Sequence, residues 1–127
     1  MTIVPLPSQL SRRSDAFQVV QRHGHRVVCV SGEQDMSTVA DLSAELARVM
    51  WLDETDVVVD LQRVSLMDSA TVGAFVRARA FLAARGRELH LQSPSASAQR
   101  VLRICGVAYD ATPVPDLRIV PNNDDAS

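Results

Sequence analysis

The stretch Asp56–Leu61 reads DVVVDL, and it decides the fold class of this 127-residue chain. Three adjacent valines favour an extended backbone, and the lack of alternation between apolar and polar residues indicates a strand covered on both faces. Strands of this kind lie at the centre of parallel sheets whose connections are helices. We therefore predict that Asp56–Leu61 is the central strand of an α/β domain.

Two apolar stretches and one helical pattern precede this strand. Ala16–Gln21 and Arg26–Ser31 are predicted strands, and Gly24 between them can adopt the positive φ that a hairpin turn requires. From Thr38 to Met50 apolar residues recur every three or four positions, as on one face of an amphipathic helix. The order predicts an antiparallel hairpin followed by a helix that leads into the central strand.

A second helix follows the central strand. Its apolar residues recur with helical spacing from Ser69 to near Gly86, and Val76 lies on the predicted apolar stripe. Glu88–Gln92 then alternates apolar and polar residues, as a half-exposed strand does. A third helix from Ser95 to Gly106 is predicted to bury one apolar side.

A short last strand, Leu117–Val120, completes the predicted elements. Together they predict a single α/β domain over residues 14–120, with a mixed, mostly parallel sheet of four to five strands, an N-terminal antiparallel hairpin, and helices packed on the sheet. Residues 1–13 are expected to form a flexible leader and residues 121–127 a disordered acidic tail.

Composition and charge limit the function. Hydrophobic residues make up 46% and charged residues 22% of a chain with net charge -2, so a folded core is expected. The basic residues are all arginines scattered among acids, which disfavours nucleic acid and favours a protein partner. The absence of lysine excludes Schiff-base and P-loop chemistry. Without a membrane-spanning or signal-like stretch, we expect a cytoplasmic protein that does not contact membranes.

Three isolated side chains are expected to have structural roles. Cys29 and Cys105 stand in apolar surroundings without metal-binding or redox spacing, so both are predicted to be buried, reduced thiols. Trp51, after the first predicted helix, is expected to be a packing anchor.

Catalysis and metal binding are not indicated. Ser69 lacks the G-x-S-x-G context of a hydrolase, and His90 is not placed near it by any pattern. His23 and His25 flank the hairpin glycine without further ligands at metal spacing, so they are predicted to be turn residues. We predict a non-enzyme with no cofactor or metal.

The most informative corner is the stretch VSLMDSATVG at residues 64–73, where a strand ends and a helix begins. Asp68 is suited to cap that helix, which leaves Ser69 in the first turn with its hydroxyl near the surface. The residues alone leave two interpretations of Ser69 open, a tolerated polar residue or a functional hydroxyl. Asp35 is similarly either a loop or cap residue or part of a recognition surface.

Over roughly residues 15–110 the chain resembles the STAS domains of bacterial anti-sigma-factor antagonists. Gly32–Asp35 is similar to the Gly-Glu-x-Asp that precedes the first helix of that family, and Asp56–Leu61 to its central strand. Leu66–Ser69 is similar to the signature corner of the family, and Pro94–Val107 resembles its closing helix.

The resemblance implies a non-catalytic partner switch. The serine after the corner aspartate is phosphorylated in that family by an anti-sigma-factor serine kinase, which points to Ser69, with Thr71 as alternate acceptor. Phosphorylation is expected to release the kinase and thereby to regulate sigma-factor-dependent transcription. The family often has Ser-Gly where this chain has Ala70-Thr71, so the Thr71 side chain is expected to hinder close approach of a partner. The expected partner contacts are Asp35, Asp68, Ser69, Ala70, Thr71 and Val72.

One rival interpretation stays within interaction modules. The chain could be an unphosphorylated STAS scaffold in a signalling or lipid-transport assembly. Either role is compatible with a monomer or a weak homodimer.

Overall fold

The computed structural model of the protein describes residues 17–22, 24–52 and 54–112. The predicted leader, the predicted strand Leu117–Val120 and the predicted tail lie outside these residues. The described elements, in chain order, are β1 (Phe17–Arg22), β2 (His25–Gln34), α1 (Val39–Leu52), β3 (Asp56–Met67), α2 (Ser69–Ala83), β4 (Leu89–Gln92) and α3 (Ala96–Cys105).

The four strands form one sheet in the order β1-β2-β3-β4. β1 and β2 pair antiparallel across a turn in which Gly24 has φ +83°, whereas β2, β3 and β4 are parallel. This confirms the predicted mixed, mostly parallel sheet with an N-terminal hairpin. One further parallel bridge joins Gln92, the last residue of β4, to Asp110, which lies outside the named strands.

β2 and β3 extend further than the sequence predicts. Their pairing continues past Ser31 and Leu61 to the last pair, Gln34 with Met67, through register irregularities near Gly32. The apolar run ends early in the sequence because Gln62, Arg63 and Ser65 in the last part of β3 are exposed and polar. The longer pairing carries both strands to a common end.

The core lies between one face of the sheet and the helices. Residues 57–61 are all buried, as predicted for a central strand. Leu42 and Leu46 of α1 and Phe75 of α2 are at most 1% exposed. Burial of each such side chain stabilises the fold by about 1.5–3 kcal/mol. Among the described residues, no helix is both long and apolar enough to cross a bilayer.

Both predicted helix stops are confirmed. After α2 the chain turns through Gly86 at φ +72°, and the Arg87 N–H donates to the Leu82 carbonyl at 2.9 Å. After α3, Gly106 adopts φ +71°, and the Val107 N–H donates to the Leu102 carbonyl at 2.9 Å. These backbone bonds are those of a glycine-terminated Schellman motif.

Trp51, the predicted packing anchor, and Val76, predicted to lie on the apolar stripe, are both exposed. Trp51 lies within α1 and is 72% exposed, with its ring edge-on to Phe81 at 5.9 Å between centroids. It follows buried Leu42 by nine residues, which places it on the opposite side of the helix at about 100° per residue. Val76 is 44% exposed, because the buried face of α2 is carried by neighbours such as Phe75 instead.

The prediction of two buried thiols is wrong for Cys105, which is exposed, whereas Cys29 is half-buried. Cys105 is the last residue of α3, and its neighbour Ile104 is 78% exposed as well, whereas the buried side of this turn is carried by Leu102. Burial, and secondarily the charge of Asp60, raises the pKa of the Cys29 thiol to about 11, and Arg63 opposes this only in part.

We predict that iodoacetamide at pH 8 alkylates Cys105 well before Cys29 in the folded protein. At that pH only about one in a thousand Cys29 thiols is ionised, since its pKa is about 11, and the thiolate is the nucleophile. Peptide mass spectrometry over time measures both rates, and the same reaction in urea, where the rates should converge, is the control. Equal rates in the folded protein would contradict the burial of Cys29.

Candidate functional site

The site lies where β2 and β3 end side by side. Gln34 pairs with Met67, and one residue later the Asp68 N–H donates to the Gln34 carbonyl at 3.1 Å. The loops that follow both strands therefore leave the sheet at one corner. This brings the segment that begins with Asp35 next to the start of α2.

Asp68 caps α2, as the sequence predicts. Its backbone is extended, and its Oδ1 accepts from both the N–H and the hydroxyl of Thr71 at 3.1 Å each. One carboxylate oxygen thus satisfies an otherwise unpaired N–H of the first turn and a buried hydroxyl. The cap fixes the direction in which α2 leaves the corner.

Ser69 is the first residue of α2 and is exposed. It stands at the end of the helix where unpaired N–H groups and the helix dipole favour negative charge. The geometry thus presents a hydroxyl to solvent at a position that tolerates an anion.

The loop after β2 has its own hydrogen-bond network. Asp35 Oδ1 accepts from the N–H and hydroxyl of Ser37 at 2.9 and 2.6 Å, and these bonds hold the pKa of Asp35 below its usual value. Buried Gln34 donates to the Ser31 carbonyl and accepts from the Thr38 hydroxyl. The loop is therefore held in place and carries a negative charge at neutral pH.

Sequence reasoning missed Gln34 as the residue that supports this corner. It is 1% exposed, and both functional groups of its side-chain amide have partners, as a buried amide requires. No apolar periodicity can reveal such a residue. The sequence feature that could have pointed to Gln34 was its position inside the Gly32–Asp35 stretch.

Two of the predicted partner contacts are buried in the structure. Thr71 is 0% and Val72 2% exposed, so both side chains point into the domain and support the corner from below. Thr71 is a poor phosphoacceptor, because its hydroxyl is buried and donates to Asp68. The Thr71 side chain is therefore not on the surface where the sequence predicts that it would hinder a partner. Ala70 is half-buried, and only Ser69 of this group is exposed.

Exposed apolar side chains occur near the corner. Met36, two residues after Gln34, is 74% exposed, and Leu66, two residues before Asp68, is 49% exposed. Val76 continues the Ser69 side of α2, since seven residues make about two helical turns. Sequence reasoning missed all three, because apolar residues were assigned to the core.

We predict that Asp68→Ala lowers the free energy of unfolding by about 2 kcal/mol. The substitution removes an N-cap, typically about 1 kcal/mol, and leaves the buried Thr71 hydroxyl without its acceptor. Urea unfolding measures the loss. Asp68→Asn keeps an acceptor and should cost less, and Ser69→Ala should stay within about 0.5 kcal/mol of the parent. An Asp68→Ala protein as stable as the parent would contradict this account of the cap.

Comparison with known proteins agrees with the architecture. The sequence model of the family described as Mlab, STAS domain matches residues 17–115, most of the chain. No curated protein matches the sequence.

Three solved structures illustrate the likeness. An anti-sigma factor antagonist from Mycobacterium paratuberculosis has a TM-score of 0.69 at 22% identity, covering 84% of this chain and 93% of its own. The anti-sigma factor antagonist SpoIIAA in its unphosphorylated form has 0.67 at 24%, covering 84% and 96%. The Bacillus cell fate determinant SpoIIAA in its phosphorylated form has 0.62 at 24%, covering 83% and 99%. At these identities the likeness shows a shared fold.

Proposed function

This chain belongs to the STAS domain family, and we propose that it is an anti-sigma-factor antagonist that binds an anti-sigma-factor serine kinase and is released when Ser69 is phosphorylated. Release would control how much anti-sigma factor is free, and through it sigma-factor-dependent transcription. The observation that carries the proposal is the exposed Ser69 hydroxyl, one residue after the cap Asp68, at the corner where β2 and β3 end.

Access to a kinase favours Ser69 as the acceptor. A kinase must reach the hydroxyl, and Ser69 is exposed whereas Thr71 is fully buried and bonded to Asp68. Ser37 is also exposed at this corner, but its hydroxyl donates to Asp35 at 2.6 Å. Ser69 therefore combines exposure with a helix N-terminus that tolerates the product.

The domain itself should tolerate the phosphate. A phosphoserine carries about -1.5 to -2 charges at neutral pH, and it would stand close to the Asp68 carboxylate. The N-terminus of α2 offsets part of this repulsion, since a nearby anion there is typically stabilised by about 0.3–1 kcal/mol. Ser69 is exposed, so water screens the remainder.

The partner, in contrast, should lose affinity. Met36 and Leu66 are exposed apolar side chains on the two segments that meet at this corner, so we expect a partner that covers them to meet Ser69 with apolar surface. A phosphate at that place would be stripped of water without a compensating charge, which costs several kcal/mol. Since about 1.4 kcal/mol corresponds to a tenfold change in affinity, release follows.

The solved structures of SpoIIAA support the proposal by analogy. That protein is described in both an unphosphorylated and a phosphorylated form, and both forms share the fold of this chain, with TM-scores of 0.67 and 0.62. In SpoIIAA, modification and an intact fold therefore coexist. The proposal places the protein in the cytoplasm, where a kinase has ATP, as a monomer or a weak homodimer.

We predict that an anti-sigma-factor kinase with ATP and magnesium adds one phosphate to this protein, on Ser69. Intact-mass and peptide mass spectrometry locate the phosphate, and Ser69→Ala should abolish it. Ser37→Ala, which removes another exposed hydroxyl of the same corner, is the matched control and should still be phosphorylated.

Binding of the same kinase provides the second measurement. The unmodified protein and Ser69→Ala should bind it, whereas the phosphorylated protein and Ser69→Asp should bind at least tenfold more weakly. Persistent binding by the kinase without phosphate on Ser69 would contradict the switch and favour the unphosphorylated scaffold.

A further inference from the structure

A second group of chemically active side chains lies where β3 and β4 begin. Asp56 is the first residue of β3, Glu88 directly precedes β4, and His90 is its second residue. One ligand atom from each of the three lies within 4.8 Å of the other two. We propose that Asp56, Glu88 and His90 form a binding site for a divalent transition metal of the zinc class.

The backbone preorganises this group, hereafter the strand-start triad. The Val57 N–H donates to the Glu88 carbonyl, and the Glu88 N–H donates to Asp56 Oδ1, both at 3.0 Å. The second bond leaves Asp56 Oδ2 for a cation. The parallel register of Val58 with His90 brings the imidazole beside the two carboxylates. Ligands fixed by sheet pairing lose little freedom when a metal binds.

The spacing of the strand-start triad suits zinc. His90 Nε2 and Glu88 Oε1 are 3.0 Å apart. Two ligand atoms that are each about 2.1 Å from one zinc ion lie about 3.0–3.4 Å apart, depending on the bond angle. A zinc ion can therefore bind both atoms with at most a small outward shift of the two side chains.

The donor set decides the class of metal. One imidazole nitrogen with two carboxylates suits zinc and its neighbours, whereas calcium and magnesium prefer oxygen ligands alone. Two carboxylates neutralise the ion charge, and the exposure of Glu88 and His90 leaves room for water at the remaining positions. Asp110 adds a further carboxylate nearby, since its N–H donates to the carbonyl of Leu91, the residue after His90, at 2.8 Å.

The strand-start triad is distinct from the Ser69 corner. Asp56 begins β3 and Met67 ends it, so at about 3.3 Å per residue the two ends of the strand, and with them the two sites, are separated by roughly 35 Å. A metal here would tie the start of β3 to β4, which has only four residues. Its expected effect is to stabilise the folded protein by an amount that grows with the logarithm of free zinc above the dissociation constant.

The test uses protein without an affinity tag, stripped of metal with a chelator and titrated with Zn²⁺ against a chromophoric competitor. We expect one zinc ion per chain and a melting temperature that rises with zinc concentration. His90→Ala should weaken binding at least tenfold, and so should the charge-removing Asp56→Asn and Glu88→Gln. The three residues are wholly or partly exposed, so these variants should fold.

The matched control removes the other histidines. His25 pairs with Asp56 in the sheet register, and His23 lies two residues before His25 in the sequence. His23→Ala/His25→Ala should leave affinity within twofold, and amide signals of residues 56, 88 and 90 should shift when zinc is added to ¹⁵N-labelled protein. Loss of binding in that double variant, retention in His90→Ala, or the absence of saturable binding would overturn the proposal.

Discussion

The parallel pairing of β2 with β3, continued to the last residue of both strands, is the constraint on which the rest of the site depends. The Asp68 N–H reaches the Gln34 carbonyl at 3.1 Å only because the two strands end in register. That bond ties the start of α2 to the loop after β2. If the strands ended where their apolar patterns end, Asp35 and Ser69 would have no common surface.

At this corner, one set of residues fixes the structure and a different set forms the surface. Gln34 and Thr71 are fully buried and hydrogen-bonded, so they fix the backbone without contributing surface. Ser69 and Met36 are exposed. A phosphate on the exposed Ser69 would therefore add charge to a corner whose backbone conformation is already fixed by buried residues. This division explains how a modification could change recognition and leave the fold intact.

The fold was largely predictable from the sequence, because its elements follow short-range patterns. The valine run at 57–59, the helical periodicities, and glycines such as Gly86 each act through neighbouring residues. The length of β3 beyond Leu61, and the burial of Thr71, were not predictable in this way. Both depend on pairing and packing with segments distant in sequence. The strand-start triad likewise exists only through the register of β3 with β4.

The central claim is that phosphate on Ser69 acts on the partner surface and not on the fold. It is tested most directly by measuring urea unfolding and kinase affinity on one sample of Ser69-phosphorylated protein and one of unmodified protein. The account predicts free energies of unfolding within about 1 kcal/mol of each other, the scale of a charge at a helix N-terminus, together with at least a tenfold loss of affinity. A loss of stability of several kcal/mol that accompanies the loss of binding would contradict it, because release would then come from unfolding of the corner.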